Sequence, residues 1–159
     1  MVDHTILVLK LVDLEVPVFI VKWSVSFLSD RNDATKYNFK LSSSVNINRS
    51  IVQGSGIGPN MFIMLTYDLK AVDTANYLLK FADDYTLLCP EKSPTSAETE
   101  MSNITAWAQH NKMVLNLLKT KELVICCPNV RQDSLPPPLP CIERLTDADL
   151  LGVIFMERI

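Results

Sequence analysis

The stretch at residues 81–89, which reads FADDYTLLC, decides the fold of this chain. It places two carboxylates, Asp83 and Asp84, side by side within a run of mainly apolar residues. Adjacent carboxylates repel each other, and burying either one is costly, so the pair is expected to face solvent. The flanks at 75–82 and 85–89 have the composition of strands. The stretch is therefore predicted to form a tight β-hairpin with both acids in its turn.

The residues alone leave two interpretations of the acidic pair open. In the first, the acids only build the turn, because aspartate tolerates turn geometry well. In the second, a rigid hairpin tip displays them as ligands for Mg²⁺, which prefers oxygen ligands and keeps waters and substrate phosphates as the others. Two such ions can stabilise the attacking and leaving oxygens of phosphoryl transfer. The dipeptide by itself does not decide between these interpretations.

The overall composition is that of a globular domain with its own core. The chain has 159 residues, of which 48% are apolar and 21% are charged, and its net charge is −3. An acidic balance gives no general signal for nucleic-acid binding, although a local basic groove can exist on an acidic protein. The first 15 residues carry charges too early for a signal peptide, and no apolar run is long enough for a membrane span. We expect a soluble, intracellular protein without a membrane partner.

The cysteines indicate a reducing compartment. The chain contains Cys89, Cys126, Cys127 and Cys141, and no two of them have the C-x-x-C spacing. Such a pattern favours free thiols over a zinc site or a disulfide framework.

Apolar periodicity predicts four helices, and caps mark the first and the last of them. The helices are expected at residues 3–14, 17–28, 59–69 and 93–111. Asp3 is expected to cap the first helix, and Thr95 with Glu98 is expected to form a capping box for the last. Ala97, Met101, Ile104 and Ala108 form the apolar stripe expected on that last helix.

Alternating residues and turn signals predict the strands. A hairpin is expected between 34–41 and 43–51, and further strands at 113–116, 121–127, 141–145 and 150–155. Because these elements show no regular βαβ rhythm, the pattern favours an α+β fold with an antiparallel sheet packed on helices. Residues 53–59 hold three of the four glycines, which indicates backbone in special conformations or a close approach by another group.

The order of these motifs resembles the palm of a reverse transcriptase of the non-long-terminal-repeat retrotransposon type, the LINE-like and jockey-like elements. The resemblance is carried by IVQGSGIGP (51–59), FADDYTLL (81–88), ITAWAQHNKMVLNLLKTKELVI (104–125) and LLGV (150–153). It implies a partial reverse transcriptase domain, with a palm incomplete at both ends. Its implied segments are connecting helices and a fingers remnant at 1–50, the palm at 51–127, a proline-rich loop at 128–140 and primer-grip-like strands at 141–159.

The resemblance also implies an activity, a cofactor and partners. In this family an [FY]-A-D-D hairpin carries catalytic aspartates, which makes Asp83 the expected principal metal ligand and Asp84 its partner. The implied reaction is RNA-directed DNA synthesis by two-metal nucleotidyl transfer, with Mg²⁺ as cofactor and an RNA template and a DNA primer as partners. Phe81 is expected near the primer terminus.

Further site residues follow from the family's other motifs. Gln53, Gly54 and Ser55 match a P-Q-G-S turn that contacts the incoming nucleotide and the template, with Val52 in place of the usual proline. Lys119 matches a lysine near the triphosphate, although a solvated loop lysine is the alternative.

Leu151 and Gly152 match the strand pair that grips the primer. Asp149 precedes them where the family commonly has a lysine, which replaces a phosphate-attracting charge with a repelling one.

The beginning of the sequence bears on activity. In this family the segment before the first helix commonly reads A-F-D-x-V-D-H, and its first aspartate is the third metal ligand. Here Met1 falls on the x, so that aspartate is expected upstream of Met1, and Asp3 is better explained as a helix cap. The chain alone is therefore expected to bind Mg²⁺ weakly or not at all and to be inactive. An unpaired strand edge is also expected beside the acidic hairpin.

Two other functions stay open from the sequence. The chain is alternatively a non-catalytic, domesticated fragment that binds RNA or protein, or a relic without a selected function. A nuclear location follows from the resemblance alone, since the sequence contains no basic cluster typical of an import signal.

Overall fold

A computed structural model describes residues 2–47, 49–52, 54–127 and 135–157. The chain divides into two compact units, Met1–Val114 and Leu115–Ile159. The boundary between them falls inside the segment assigned above to the palm, and that functional subdivision stays a prediction. No helix within the described ranges has the length and apolar character needed to cross a bilayer.

The first unit contains the four expected helices. They are α1 (His4–Asp13), α2 (Val18–Leu28), α3 (Gly58–Leu65) and α4 (Ala97–His110). The predicted cap of α1 is confirmed, because Asp3 Oδ1 accepts hydrogen bonds from the backbone N–H groups of Thr5 (3.0 Å) and Ile6 (3.3 Å). Asp3 therefore satisfies two of the backbone donors that a helix start leaves unpaired.

The predicted cap of α4 is wrong by one residue. Ser96, not Thr95, has the extended backbone of a cap, and its Oγ accepts a hydrogen bond from the N–H of Thr99 (3.2 Å). The backbone carbonyl of Thr95 instead accepts the side-chain N–H of Asn76 (3.3 Å). A contact distant in sequence thus helps to hold the residue that precedes the cap.

The core of the first unit lies where α1 meets α2 and α3. Its buried members are apolar side chains from these helices and the segment before α1: Val2, Leu7, Leu11, Leu28, Met61 and Leu65. The 3.6-residue period of α1 places Leu7 and Leu11 on one face, and both are almost fully buried. This three-helix contact is the main apolar burial of the unit.

The strands form five separate pairs within the described part of the chain, not one sheet. They are β1 (Arg31–Asp33), β2 (Lys36–Tyr37), β3 (Lys40–Leu41), β4 (Val45–Ile47), β5 (Tyr77–Phe81), β6 (Asp84–Leu88), β7 (Lys121–Leu123), β8 (Glu143–Leu145), β9 (Asp147–Leu150) and β10 (Val153–Met156). The pairs β1–β4, β2–β3, β5–β6 and β9–β10 are antiparallel, whereas β7–β8 is parallel. The mixed content of helices and strands agrees with the prediction. The prediction of one antiparallel sheet is wrong, because the described strands form separate pairs.

The predicted hairpin between 34–41 and 43–51 is wrong in its pairing. Both β2 and β3 lie within 34–41, and β4 pairs with β1 instead. The cause is the two-residue turn at Asn38 and Phe39, whose φ angles of 45° and 63° are both positive. This backbone is that of a primed turn, which reverses the chain inside the predicted strand.

Two other predicted strands also differ. Residues 113–116 contain no strand. They follow the C-terminal end of α4, where Lys112 has a φ of 53° and the N–H of Met113 donates to the carbonyl of Ala108 (2.8 Å). The segment 150–155 contains a turn, so its residues belong to both β9 and β10.

The second unit is held by charged pairs and its two strand pairs. Arg144 donates two hydrogen bonds to the carboxylate of Glu122 (2.9 and 3.0 Å) across β7–β8. Lys121 forms a salt bridge with Glu143 on the same strands. In the predicted loop 128–140, residues 135–140 contain no helix or strand, and 128–134 lie outside the described residues. Cys89, Cys126, Cys127 and Cys141 are free, and Cys127 and Cys141 are exposed.

We predict that truncating Leu7 costs far more stability than truncating Leu9, which lies two residues later on the opposite face of the same helix. Leu7 has no exposed surface, whereas Leu9 is 59% exposed. The change Leu7→Ala should lower the free energy of unfolding by about 3 kcal/mol, through lost burial and a residual cavity. The matched control Leu9→Ala should cost under about 1 kcal/mol. Urea denaturation followed by circular dichroism measures both, and equal costs would contradict the assigned helix face.

Candidate functional site

The acidic pair lies at the tip of the antiparallel β5–β6 pair, which we call the acidic hairpin (residues 77–88). Phe81 pairs directly with Asp84, so the turn consists of Ala82 and Asp83 alone. The prediction that both acids form the turn is therefore correct for Asp83 and wrong for Asp84, which is the first residue of β6. Ala82 has a φ of 52°, a backbone conformation that glycine adopts more readily.

The two carboxylates of the pair are exposed at the tip of the acidic hairpin. Within the described residues, neither Asp83 nor Asp84 forms a hydrogen bond or an ion pair through its side chain, and both are exposed. By contrast, several other acids each accept a structural hydrogen bond: Asp3, Asp68, Asp73, Glu100, Glu122 and Asp149. The oxygens of the pair are therefore available to an external ligand.

The two faces of the acidic hairpin have different environments. The outer face carries Tyr77, Leu79, Phe81, Asp84, Thr86 and Leu88. Phe81 is 63% exposed and lies opposite Asp84, so an apolar surface adjoins a carboxylate. On the inner face, burial raises the pKa of Tyr85, and the nearby charge of Asp83 adds to that increase.

Lys80 ties the inner face to α3. Its ammonium donates to the backbone carbonyl of Thr66 at 2.5 Å, and Thr66 is the C-terminal cap of α3. Partial burial lowers the pKa of Lys80, whereas the carboxylate of Asp68 opposes that change. A cation at the C-terminal end of a helix also interacts favourably with the helix dipole. This contact lies three residues before Asp83 and supports the tip of the hairpin.

A second support holds the segment that enters β5. The side chain of Glu100, on α4, is fully buried and accepts hydrogen bonds from the backbone N–H groups of Val72 (2.8 Å) and Asp73 (3.1 Å). It also accepts the side-chain N–H of Asn76 (2.8 Å), the residue directly before β5. Burial opposes ionisation, but these hydrogen bonds outweigh it and lower the pKa of Glu100. We call this set the Glu100 clamp.

Sequence reasoning missed the Glu100 clamp, although a signal was present. Glu100, Ile104 and Ala108 are the buried residues of α4 and recur every four positions. The predicted stripe used Ala97 and Met101, which are only partly buried. A glutamate that falls on the same helix face as buried apolar residues is itself expected to be buried. Its carboxylate then needs hydrogen-bond donors from the protein.

A third polar contact, also missed, lies beside the end of α3. The ammonium of Lys10 on α1 lies 2.5 Å from Asp68 Oδ1 and 4.8 Å from the centre of the Trp107 ring. Trp107 Nε1 donates to the same oxygen (3.1 Å). Burial opposes ionisation of Asp68, yet hydrogen bonds from Lys10 and Trp107 lower its pKa. Lys10 on α1 thus contacts both α4 and the residues after α3. No residue spacing in the sequence indicates these contacts.

The residues matched to the P-Q-G-S turn precede α3. Gln53 lies outside the described residues, while Gly54 is exposed and has a φ of 79°, which explains glycine at that position. Ser55 Oγ donates to the carbonyl of Val52 (2.8 Å) and accepts from the N–H of Gly58 (3.1 Å). The hydroxyl of Ser55 therefore shapes the turn, and contact with a nucleotide or template stays a prediction for these residues.

The other predicted site residues belong to the second unit. Lys119 is exposed in a turn, where its backbone N–H donates to the carbonyl of Asn116 (3.0 Å). Its role near a triphosphate stays a prediction.

Leu151 and Gly152 form the turn between β9 and β10, with φ angles of 53° and 83°, so the predicted strand at this point is wrong. Asp149 Oδ1 accepts the N–H of Gly152 (2.8 Å) and closes that turn.

The arrangement offers a metal two adjacent carboxylates. Their oxygens match the ligand preference of Mg²⁺, and both side chains are exposed. Among the residues that the structure describes, no group of three or more His, Cys, Asp or Glu side chains could hold a metal ion. The acidic hairpin therefore fits part of a metal site.

Comparison with known proteins identifies the family. A family model described as "Reverse transcriptase (RNA-dependent DNA polymerase)" matches residues 1–155. The chain belongs to the reverse transcriptase family. The family match confirms the reverse transcriptase family recognised from the FADD hairpin and the motifs around it.

One curated relative extends this result to transposons. The chain is 24% identical over 147 residues to a protein named "Probable RNA-directed DNA polymerase from transposon X-element" from Drosophila melanogaster. The match covers 84% of this reverse transcriptase chain and 16% of the relative, so the chain spans about a sixth of the relative's length. No solved structure matches the chain significantly.

We predict that the Glu100 clamp makes stability depend on pH. Because the pKa of Glu100 is lower in the folded state, its contribution is fully present above the ordinary glutamate pKa and is lost as pH falls through the folded-state pKa. The change Glu100→Gln should lower the free energy of unfolding at neutral pH by about 2 kcal/mol, since it removes a charged acceptor of several hydrogen bonds.

Denaturation at a series of pH values tests this prediction. The variant should also lose less additional stability on acidification than the unchanged protein. Glu98→Gln, an exposed change in the first turn of the same helix, is the control and should alter both quantities much less. Parallel pH profiles for Glu100→Gln and the unchanged protein would contradict the assigned clamp.

Proposed function

We propose that this chain is part of the palm of a retrotransposon reverse transcriptase of the non-long-terminal-repeat type, and that Asp83 and Asp84 bind the catalytic Mg²⁺ ions. The observation that carries the proposal is the acidic hairpin itself. Two adjacent exposed carboxylates, without structural partners among the described residues, lie at a tight β-turn in a chain of this family. The name of the transposon relative supports the choice of an RNA-directed DNA polymerase.

The residues of the hairpin have distinct roles in this proposal. When bound, Mg²⁺ supplies positive charge that stabilises the attacking and leaving oxygens of nucleotidyl transfer. Asp83, in the turn, and Asp84, at the start of β6, hold the ions by their carboxylates. Phe81 provides an exposed aromatic surface opposite Asp84, suited to contact the end of a primer. Lys80 holds the hairpin against the end of α3 and so limits movement of its tip.

The site is completed, we propose, by a carboxylate from another strand. Both outer edges of the acidic hairpin have no third strand within the described parts of the chain. A strand pairing with one of these edges would satisfy free backbone groups and bring a third acid to the pair. A pair of metal ions requires ligands on more than one side to fix the spacing between them. The polypeptide of residues 1–159 is therefore proposed to be inactive alone.

We predict weak, specific binding of divalent metal to the acidic hairpin. Mn²⁺ serves as a paramagnetic probe, and its binding is measured by electron paramagnetic resonance. The double change Asp83→Asn and Asp84→Asn should abolish the binding, because amide oxygens are neutral. The single change Asp33→Asn removes an exposed acid elsewhere and should have no effect. Equal binding by the double variant and the unchanged chain would disprove this metal site.

We also predict that residues 1–159 alone do not extend a DNA primer on an RNA template, with Mg²⁺ or with Mn²⁺. Two carboxylates from one turn cannot enclose two ions, and removing one member of a group that acts together typically removes most of the rate. Gel analysis of extended primers measures the outcome. Extension that Asp83→Asn abolishes would show that a further acid of this chain already completes the site.

A further inference from the structure

The segment at residues 35–42 forms a short, closed ribbon. Its strands β2 and β3 place Tyr37 opposite Lys40 and Lys36 opposite Leu41. At the base of the ribbon, the N–H of Ser42 donates to the carbonyl of Thr35 (3.0 Å). The N–H of Thr35 donates in return to Ser42 Oγ (3.0 Å). We call this segment the aromatic ribbon.

Phe39 at the tip of the aromatic ribbon is unfavourable for the isolated fold. Its φ is 63°, and a bulky side chain in this region is strained, so the second position of such a turn is usually glycine. The side chain is 95% exposed and therefore recovers almost no burial energy in return. An aromatic residue retained at this cost is explained by a contact with another molecule.

The surroundings of Phe39 indicate the chemistry of that molecule. Tyr37 is 82% exposed and shares a face of the ribbon with Lys40, while Lys36 and the apolar Leu41 occupy the other face. Residues 34–44 contain these two lysines and no acid. Exposed aromatic rings provide surfaces for stacking, and flanking lysines attract phosphates. This local positive charge contrasts with the net charge of −3 of the chain.

We propose that the aromatic ribbon binds single-stranded nucleic acid, with Phe39 and Tyr37 stacking on bases and Lys36 and Lys40 contacting phosphates. A protein partner is disfavoured because two lysines flank the rings, and lysine is depleted at protein–protein interfaces. The choice of nucleic acid rests on the proposed function, since an RNA-directed DNA polymerase acts on single-stranded template. The ribbon needs no metal and shares no residue with the acidic hairpin.

Binding of a labelled single-stranded RNA tests the proposal. The probe is a fluorescein-labelled RNA of mixed sequence and about 16 nucleotides, a length that such sites cover. Fluorescence anisotropy is recorded on the full 159-residue chain in EDTA, so that metal at Asp83 and Asp84 plays no part. The change Phe39→Gly should weaken binding about tenfold, as expected for one lost stacking contact. Phe39→Tyr should keep the affinity.

Two controls separate binding from folding. Phe39→Gly relieves the positive φ, so its melting temperature should equal or exceed that of the unchanged chain while its affinity falls. Phe19→Ala removes another exposed phenylalanine, on α2 and 73% exposed, and should leave RNA binding unchanged. Replacing Lys36 and Lys40 with glutamine should weaken binding and make its salt dependence shallower.

Each other outcome overturns the inference. It fails if the unchanged chain does not bind the RNA, if Phe39→Gly binds as tightly as the unchanged chain, or if Phe19→Ala weakens binding equally. Failure here is distinct from failure of the proposed function, because the Mn²⁺ measurement examines Asp83 and Asp84 without RNA. A chain that binds Mn²⁺ at the acidic hairpin but shows no effect of Phe39→Gly keeps the proposed metal site and loses the ribbon.

Discussion

The buried carboxylate of Glu100 is the interaction on which the placement of the acidic hairpin depends. An ionised group without exposed surface is tolerated only when hydrogen bonds replace its water, and Val72, Asp73 and Asn76 supply them. These donors lie in the segment that leads into β5, so the same bonds that satisfy the charge also fix where the strand begins. Loss of any one donor would leave a buried charge underpaired, which makes this geometry strongly specified.

The acidic hairpin depends on its surroundings because an isolated two-stranded pair is only marginally stable in water. Its inner face supplies the support, through half-buried Tyr85 and through the bond from Lys80 to the end of α3. Its outer face carries exposed apolar side chains, and neither of its edges pairs with a third strand among the residues that the structure describes. Within the described residues, the hairpin is thus anchored on one face, while its other face carries exposed apolar side chains.

Local patterns predicted the helices, the cap at Asp3 and the hairpin around Asp83, because these depend on periodicity and on neighbours within a few residues. The errors arose where distant contacts or backbone angles decide. Asn76 helps to define the start of α4, and positive φ angles at Asn38 and Phe39 reverse a segment that reads as one strand. Of the site, the FADD motif was readable, and the spacing of Glu100 with Ile104 and Ala108 indicated a buried carboxylate. The partners of Glu100 and the Lys10 contacts follow from no spacing, because they join residues distant in sequence.

Several turns of this protein place residues other than glycine at positive φ, including Ala82 beside the acidic pair and Leu151 between β9 and β10. Each such residue carries a conformational penalty that glycine would avoid. These turns are consequently expected to tolerate some substitutions and not others. Glycine or asparagine can enter with little penalty or a gain, while valine or isoleucine would oppose the bend. A thermostabilised variant of this domain can therefore be sought first at its bends, without altering the apolar core.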